Sequence, residues 1–158
     1  MTTKEALSPH SDELIWGDAL LLGDPAMDDD HHQFVDLLWE LTRASDQDLP
    51  QRFSAFAQHA AEHFERENGW MIDSEFPPRQ CHIDEHEAVM KSVREVQQLV
   101  DSGDRAVVRR LAAQLTTWFP AHLQHLDSAL SHWLCKRRWG GKPVILRRSD
   151  VAASTPAE

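Results

Sequence analysis

Ten histidines stand in a chain of 158 residues that contains no tyrosine. Their spacing says more than their number. His63 and Glu67 are four residues apart, His82 and His86 repeat that step, His122 precedes Asp127 by five, and His31 stands alone. Four residues are close to one helical turn, so each such pair shares a face if its segment is helical. Polar or charged side chains on an apolar face are costly unless they are paired or coordinate a metal. Imidazole with carboxylate suits iron or manganese, and seven ligands exceed the four that one zinc takes. The count of five imidazoles and two carboxylates therefore points to two ions, with each carboxylate offering one oxygen to each. The missing tyrosine excludes a tyrosyl radical or a phenolic acid.

These groups must be positioned by helices. Four helical stretches are predicted, each from apolar residues recurring at steps of three and four. The first, about 29–45, aligns His31, Phe34, Leu38 and Leu41. The second, about 51–73, aligns Phe53, Phe56, Ala60, His63, Glu67 and Met71. The third, about 82–101, carries His82, His86, Val89, Val93, Val96 and Val100. The fourth, about 104–138, carries Val108, Leu111, Leu115, Trp118, His122 and Leu126. Short loops between them imply an all-α, antiparallel up-down four-helix bundle. Strands have no support, because no sustained alternation with period two appears. Pro120 is expected to kink the fourth helix near His122. The step from His122 to Asp127 turns about 140° on an ideal helix, so His122 would face one ion while Asp127 reaches between them.

Residues 1–26, punctuated by Pro9, Gly17, Gly23 and Pro25, are expected to form an irregular arm packed on the bundle through Leu14, Ile15, Trp16 and Leu20–Leu22. Residues 27–138 are then the bundle and 139–158 a C-terminal tail. With 41% hydrophobic and 27% charged residues the chain suits one soluble domain. No apolar run spans a membrane, the N-terminus is no secretory signal, and Cys81 and Cys135 are too few for a disulfide framework, so the cytosol is the expected compartment. The net charge of −10 divides into −14 through Cys135 and +4 in the last 23 residues. An acidic body excludes nucleic acid as the main partner. The tail KRRWGGKPVILRR either folds back on that body or is solvated, or touches an anionic partner or membrane face.

The segments Trp16-Gly-Asp, MDDDHHQF around His31, HFERENGWM from His63, HIDEH from His82 and WFPAHLQHLD ending at Asp127 together resemble the hemerythrins, in particular the single-domain bacterial hemerythrin-like proteins. The resemblance spans about residues 14–134 and fills every ligand position of the family. It implies one iron on His82, His86 and His122, a second on His31 and His63, and bridges from Glu67, Asp127 and an oxide or hydroxide. It leaves the second iron an open position for dioxygen. Asn68 stands where the family often has a second Glu, Asp30 where Gln is common, and Leu130 near a frequent Tyr. Outside the motif, His32 is expected to face solvent, His59 to lie at the surface or the site's edge, and Cys81 to be a small junction residue or a redox-sensitive thiol.

Two functions compete. A histidine-rich, carboxylate-poor set favours reversible dioxygen binding for storage, delivery or scavenging, whereas diiron oxygenases use about four carboxylates and two histidines. The alternative is a sensor of oxygen, redox state or nitric oxide, or a peroxidase-like enzyme on the same site. Phe34, Leu38, Phe64, Trp118 and Leu123 are the expected apolar walls of the oxygen pocket.

Overall fold

The computed structural model describes residues 13–147 as four helical rods joined by short loops. Helix α1 runs Pro25–Arg43, α2 Leu49–Asp73, and α3 Arg79–Asp101. The fourth rod is composite: α4 covers Ala106–His122, a π-helical turn covers Leu123–Asp127, and α5 covers Ser128–Trp139. Each rod packs on its chain neighbour, and α4 also packs on α1, so the four close into a ring around one core.

The first helix begins four residues before the predicted start. Pro25, expected to punctuate the arm, is its first residue, and the Asp24 carboxylate accepts from the backbone N–H of Ala26 and Met27 at 3.1 and 3.2 Å. Proline at N1 lacks only a donor that would have no helical partner, so it starts a helix as readily as it breaks one. At the other end, Gly140 takes a φ of 74° and its N–H bonds the Lys136 carbonyl, which stops α5.

Phe34, Phe53, Phe56 and Phe119 fill the centre and are almost fully buried. The stripe predicted for the fourth helix is corrected at two positions. Phe119 and Leu123 are buried where Trp118 and Leu126 were expected, and those two are only half-buried. Of the N-terminal arm, residues 13–24 are described: Leu20 and Leu22 belong to the core, and Leu14 and Trp16 pack against it. The Asp28 carboxylate holds this segment by accepting from the N–H groups of Leu22 and Gly23 at 2.8 and 3.0 Å. Residues 1–12, with His10, and the tail beyond residue 147 lie outside the described residues.

The rod widens just after His122. The Ser128 N–H reaches the Leu123 carbonyl five residues back, and the Ser128 hydroxyl donates to the Gln124 carbonyl. An i→i+5 bond brings residues five apart onto one face. Local winding therefore reduces the offset of about 140° expected of an ideal helix and brings Asp127 Oδ1 within 3.1 Å of His122 Nε2. Pro120 contributes by removing a backbone donor one turn earlier.

Candidate metal centre

All seven predicted side chains meet in the bundle core. His31 is presented by α1, His63 and Glu67 by α2, His82 and His86 by α3, His122 by α4, and Asp127 by the π turn; each is at most 4% exposed. They form two groups that share Glu67. His31, His63 and Glu67 make one, and Glu67, His82, His86, His122 and Asp127 make the other.

The carboxylates divide their oxygens between these groups. Glu67 Oε1 lies 3.0 Å from His31 Nε2 and 2.9 Å from His63 Nε2, while its Oε2 lies 3.3 Å from His86 Nε2. Asp127 Oδ2 lies 3.1 Å from His31 Nε2, while its Oδ1 lies 2.9 Å from His82 Nε2 and 3.1 Å from His122 Nε2. Every imidazole thus turns Nε2 toward the centre, and the two carboxylates run between the halves.

The outer nitrogens explain part of this orientation. His86 Nδ1 donates to Asn68 Oδ1 at 2.8 Å, and His122 Nδ1 donates to Glu85 Oε2 at 2.5 Å. A proton held on Nδ1 leaves a lone pair on Nε2, the form that binds a metal. The Nε2 atoms of His82 and His86 come within 3.3 and 3.2 Å of the Nε2 of His122. Lone pairs converging so closely repel unless a cation lies among them. Glu67 Oε2 and both Asp127 oxygens are also buried without a well-directed hydrogen bond. Such orphaned groups are expensive in a dry core. The residues present fit two metal ions, which would satisfy the lone pairs and the carboxylates together.

The electrostatics agree. Burial acts to lower His31, but the carboxylates of Asp127 and Glu67 override it and raise the imidazole to about 10. His122 is raised in the same way against its burial, chiefly by Asp127. For His86, burial prevails and pushes it down. Burial and the neighbouring Glu67 push Asp127 up, yet His122 and His31 hold it below the usual carboxylate range. Glu67, also pushed up by burial, is held well down by the neighbouring His63 and by hydrogen bonds from His31 and His63. Two ionised carboxylates share a core that must supply compensating positive charge.

Aromatic rings wall the cluster. Phe34 meets the His63 ring edge-on at 5.7 Å and stacks on Phe119 at 4.6 Å, and Phe119 meets His31 at 5.5 Å. Phe64 stacks on His86 at 4.2 Å, and Trp118 lies 4.3 Å from His122. Phe119 was missing from the expected wall because the predicted stripe took its neighbour. Leu123 is buried, and Leu38 separates the core from a surface cavity of about 500 Å³ between the arm, α1 and α4.

Some expectations change. His59 is buried rather than at the surface: its Nε2 donates to the Asp30 carbonyl at 3.0 Å, and burial pushes it down. Asp30 pairs in bidentate fashion with Arg66 at 2.8 and 2.7 Å, so the position beside His31 ties α1 to α2. His32 is exposed as expected, stacked on Trp16 and 3.3 Å from Asp36. Cys81 is an exposed free thiol, and His125 and His132 are exposed. Glu85 was missed, although its place inside His82-Ile-Asp-Glu-His86 put it one turn from His82.

Residues 22–134 match the Hemerythrin HHE cation binding domain. The chain is also similar to a bacteriohemerythrin of Ralstonia nicotianae (strain ATCC BAA-1114 / GMI1000), with 40% identity over 122 residues, covering 77% of this chain and 89% of the relative. No helix among the described residues is long and apolar enough to cross a membrane. With its ligand-type side chains gathered as two groups around shared carboxylates inside a four-helix bundle, the chain belongs to the hemerythrin family.

Proposed function

We propose that this protein binds dioxygen reversibly at a diiron centre, for storage, delivery or scavenging. The observation that carries the reading is the division of the Glu67 and Asp127 oxygens between two groups of inward-facing imidazoles. His82, His86 and His122 would hold one iron, His31 and His63 the other, with Glu67 and Asp127 between them. Bound there, the iron pair supplies the electrons that reversible dioxygen binding requires.

The chain's own residues set the conditions. Dioxygen is small and apolar, so the site needs a dry wall more than a polar contact. Phe34, Phe119 and Phe64 provide that wall, each at most 2% exposed and each in ring contact with a histidine of the cluster. Excluding water also keeps protons away, which slows irreversible oxidation of the iron pair. The edge of the wall is closed by His59, whose charged form burial disfavours and whose ring is fixed by its bond to the Asp30 carbonyl. Trp118 covers the outer side of His122.

The test combines metal analysis with absorption spectra through anaerobic reduction, air exposure and removal of oxygen. The expected result is two irons per chain and a colour that appears with air and fades when oxygen is withdrawn. Glu67→Ala should lose iron. Rapid irreversible oxidation would move the reading to peroxide, nitric oxide or sensing chemistry; a single zinc, or full iron retention in Glu67→Ala, would overturn the site.

A further inference from the structure

The three most exposed large apolar side chains of the described structure fall within residues 139–146, at its C-terminal end: Trp139 at 82%, Val144 at 81% and Leu146 at 79%. Residues 136–147 also carry five cations, Lys136, Arg137, Arg138, Lys142 and Arg147, and no carboxylate. Arg138 is 3.3 Å from Asp24, and Arg137 lies 5.6 Å over the Trp133 ring. Lys136, Lys142 and Arg147 have no acidic partner among the described residues.

This edge is built, not loose. After the α5 stop at Gly140 the chain turns back, and Pro143 and Ile145 are half-buried. They seat against Gly23, where a Cβ would fall 2.8 Å from the Pro143 Cβ and 3.3 Å from Ile145 Cγ1. Alternate residues of an extended segment point opposite ways, so Val144 and Leu146 face outward because Pro143 and Ile145 face in. Beside them, between α5 and the returning chain, lies a cavity of about 540 Å³. Phe76, Trp133, Gly140 and Gly141 line it together with Lys136 and Lys142.

We propose that this edge docks on an anionic phospholipid surface, with Trp139, Val144 and Leu146 entering the interface and Lys136 and Lys142 meeting headgroup phosphate. Tryptophan favours the headgroup level of a bilayer, and a basic cluster is drawn to anionic lipid. The rest of the chain favours this orientation: residues 1–135 carry a net −14, which an anionic surface repels. A second copy of the chain is a poorer occupant. A two-fold dimer through this edge would set basic cluster against basic cluster, and a head-to-tail contact with an acidic face would build a ring or a filament rather than a dimer.

The experiment is co-sedimentation of the iron-loaded full chain with phosphatidylcholine vesicles, with and without phosphatidylglycerol. The protein should pellet with the anionic vesicles only, and be released at about 1 M salt, where the Debye length is about 3 Å. Each cation near the surface is worth about fivefold, so K136Q/K142Q should lower the partition constant about thirtyfold. W139A should lower it as well, and both variants should keep their helicity and iron. Equal partition onto neutral vesicles, or variants that partition like the parent, would overturn the proposal. Lipid-independent self-association that K136Q/K142Q abolishes would overturn it in favour of a second copy. Because vesicle binding is read without oxygen chemistry, its failure is distinct from failure of the dioxygen reading.

Discussion

At the scale of single residues, the supports behind the histidines are unequal. His122 leans on an anionic carboxylate, Glu85, whereas His86 leans on the neutral amide of Asn68. The outer nitrogens of His31, His63 and His82 are buried without a partner. Outer contacts orient a ligand and raise its basicity, and losing one costs about 10- to 100-fold in metal affinity. Glu85→Ala should therefore weaken the ion held by His122 by about that factor, with Glu85→Gln retaining part of it. Competition with a graded series of chelators measures this, and affinity equal to the parent in both variants would remove Glu85 from the site. Glu85 is only half-buried, so the substitution leaves no cavity and the fold should survive.

At the scale of elements, two irregularities position the site. The Asp24–Pro25 start sets where α1 begins and hence where His31 falls, and Asp24→Ala should cost about 1 kcal/mol of stability, read from denaturant midpoints. The Arg138 pairing adds little to that figure, because Arg138 is half-exposed. The π turn from Leu123 to Asp127 is the other. Its i→i+5 bond lets a spacing of five do what a spacing of four does at His63 and Glu67. Both irregularities were visible in the sequence only as residues with two readings. Proline ends some helices and begins others, and a five-residue step is awkward on an α-helix yet natural on a π turn.

At the scale of the whole molecule, the ionised carboxylates tie metal binding to pH. His31 is raised from 6.5 to about 10 in the metal-free fold. The sign follows directly: its contribution to stability is complete below 6.5 and is lost as pH climbs through about 10. His59 and His86, lowered by burial, oppose the trend only near 6.5, where the unfolded imidazoles are still losing protons, and His122, raised like His31, adds to it. The metal-free protein should therefore melt at progressively lower temperature from pH 6.5 toward 10. An ion that takes the place of the His31 proton should flatten this slope, and iron uptake near pH 7 should release protons into a weakly buffered solution. Thermal melts across that range and an indicator dye check both; a metal-free melting curve independent of pH would show that His31 is not protonated there.

What the sequence by itself determined was the set of participants. Each helix carries its own 3.6-residue record of which face is buried, so His63 with Glu67 and His82 with His86 declare a shared inward face from spacing alone. An inward imidazole or carboxylate then declares unusual chemistry, because an apolar core tolerates neither alone. The tertiary structure decided what periodicity cannot carry. Whether Trp118 or Phe119 faces the core depends on the packing of the fourth rod against α1, since neighbouring residues lie only 100° apart and either fits the stripe. That His59 is buried, that Glu85 reaches His122 from a different helix, and that Pro143 and Ile145 seat on Gly23 are all contacts between distant parts of the chain. Local sequence holds no trace of such partners. The division of each carboxylate between two groups of histidines exists only once four rods have closed around a common centre, because its oxygens are assigned by neighbours from other helices.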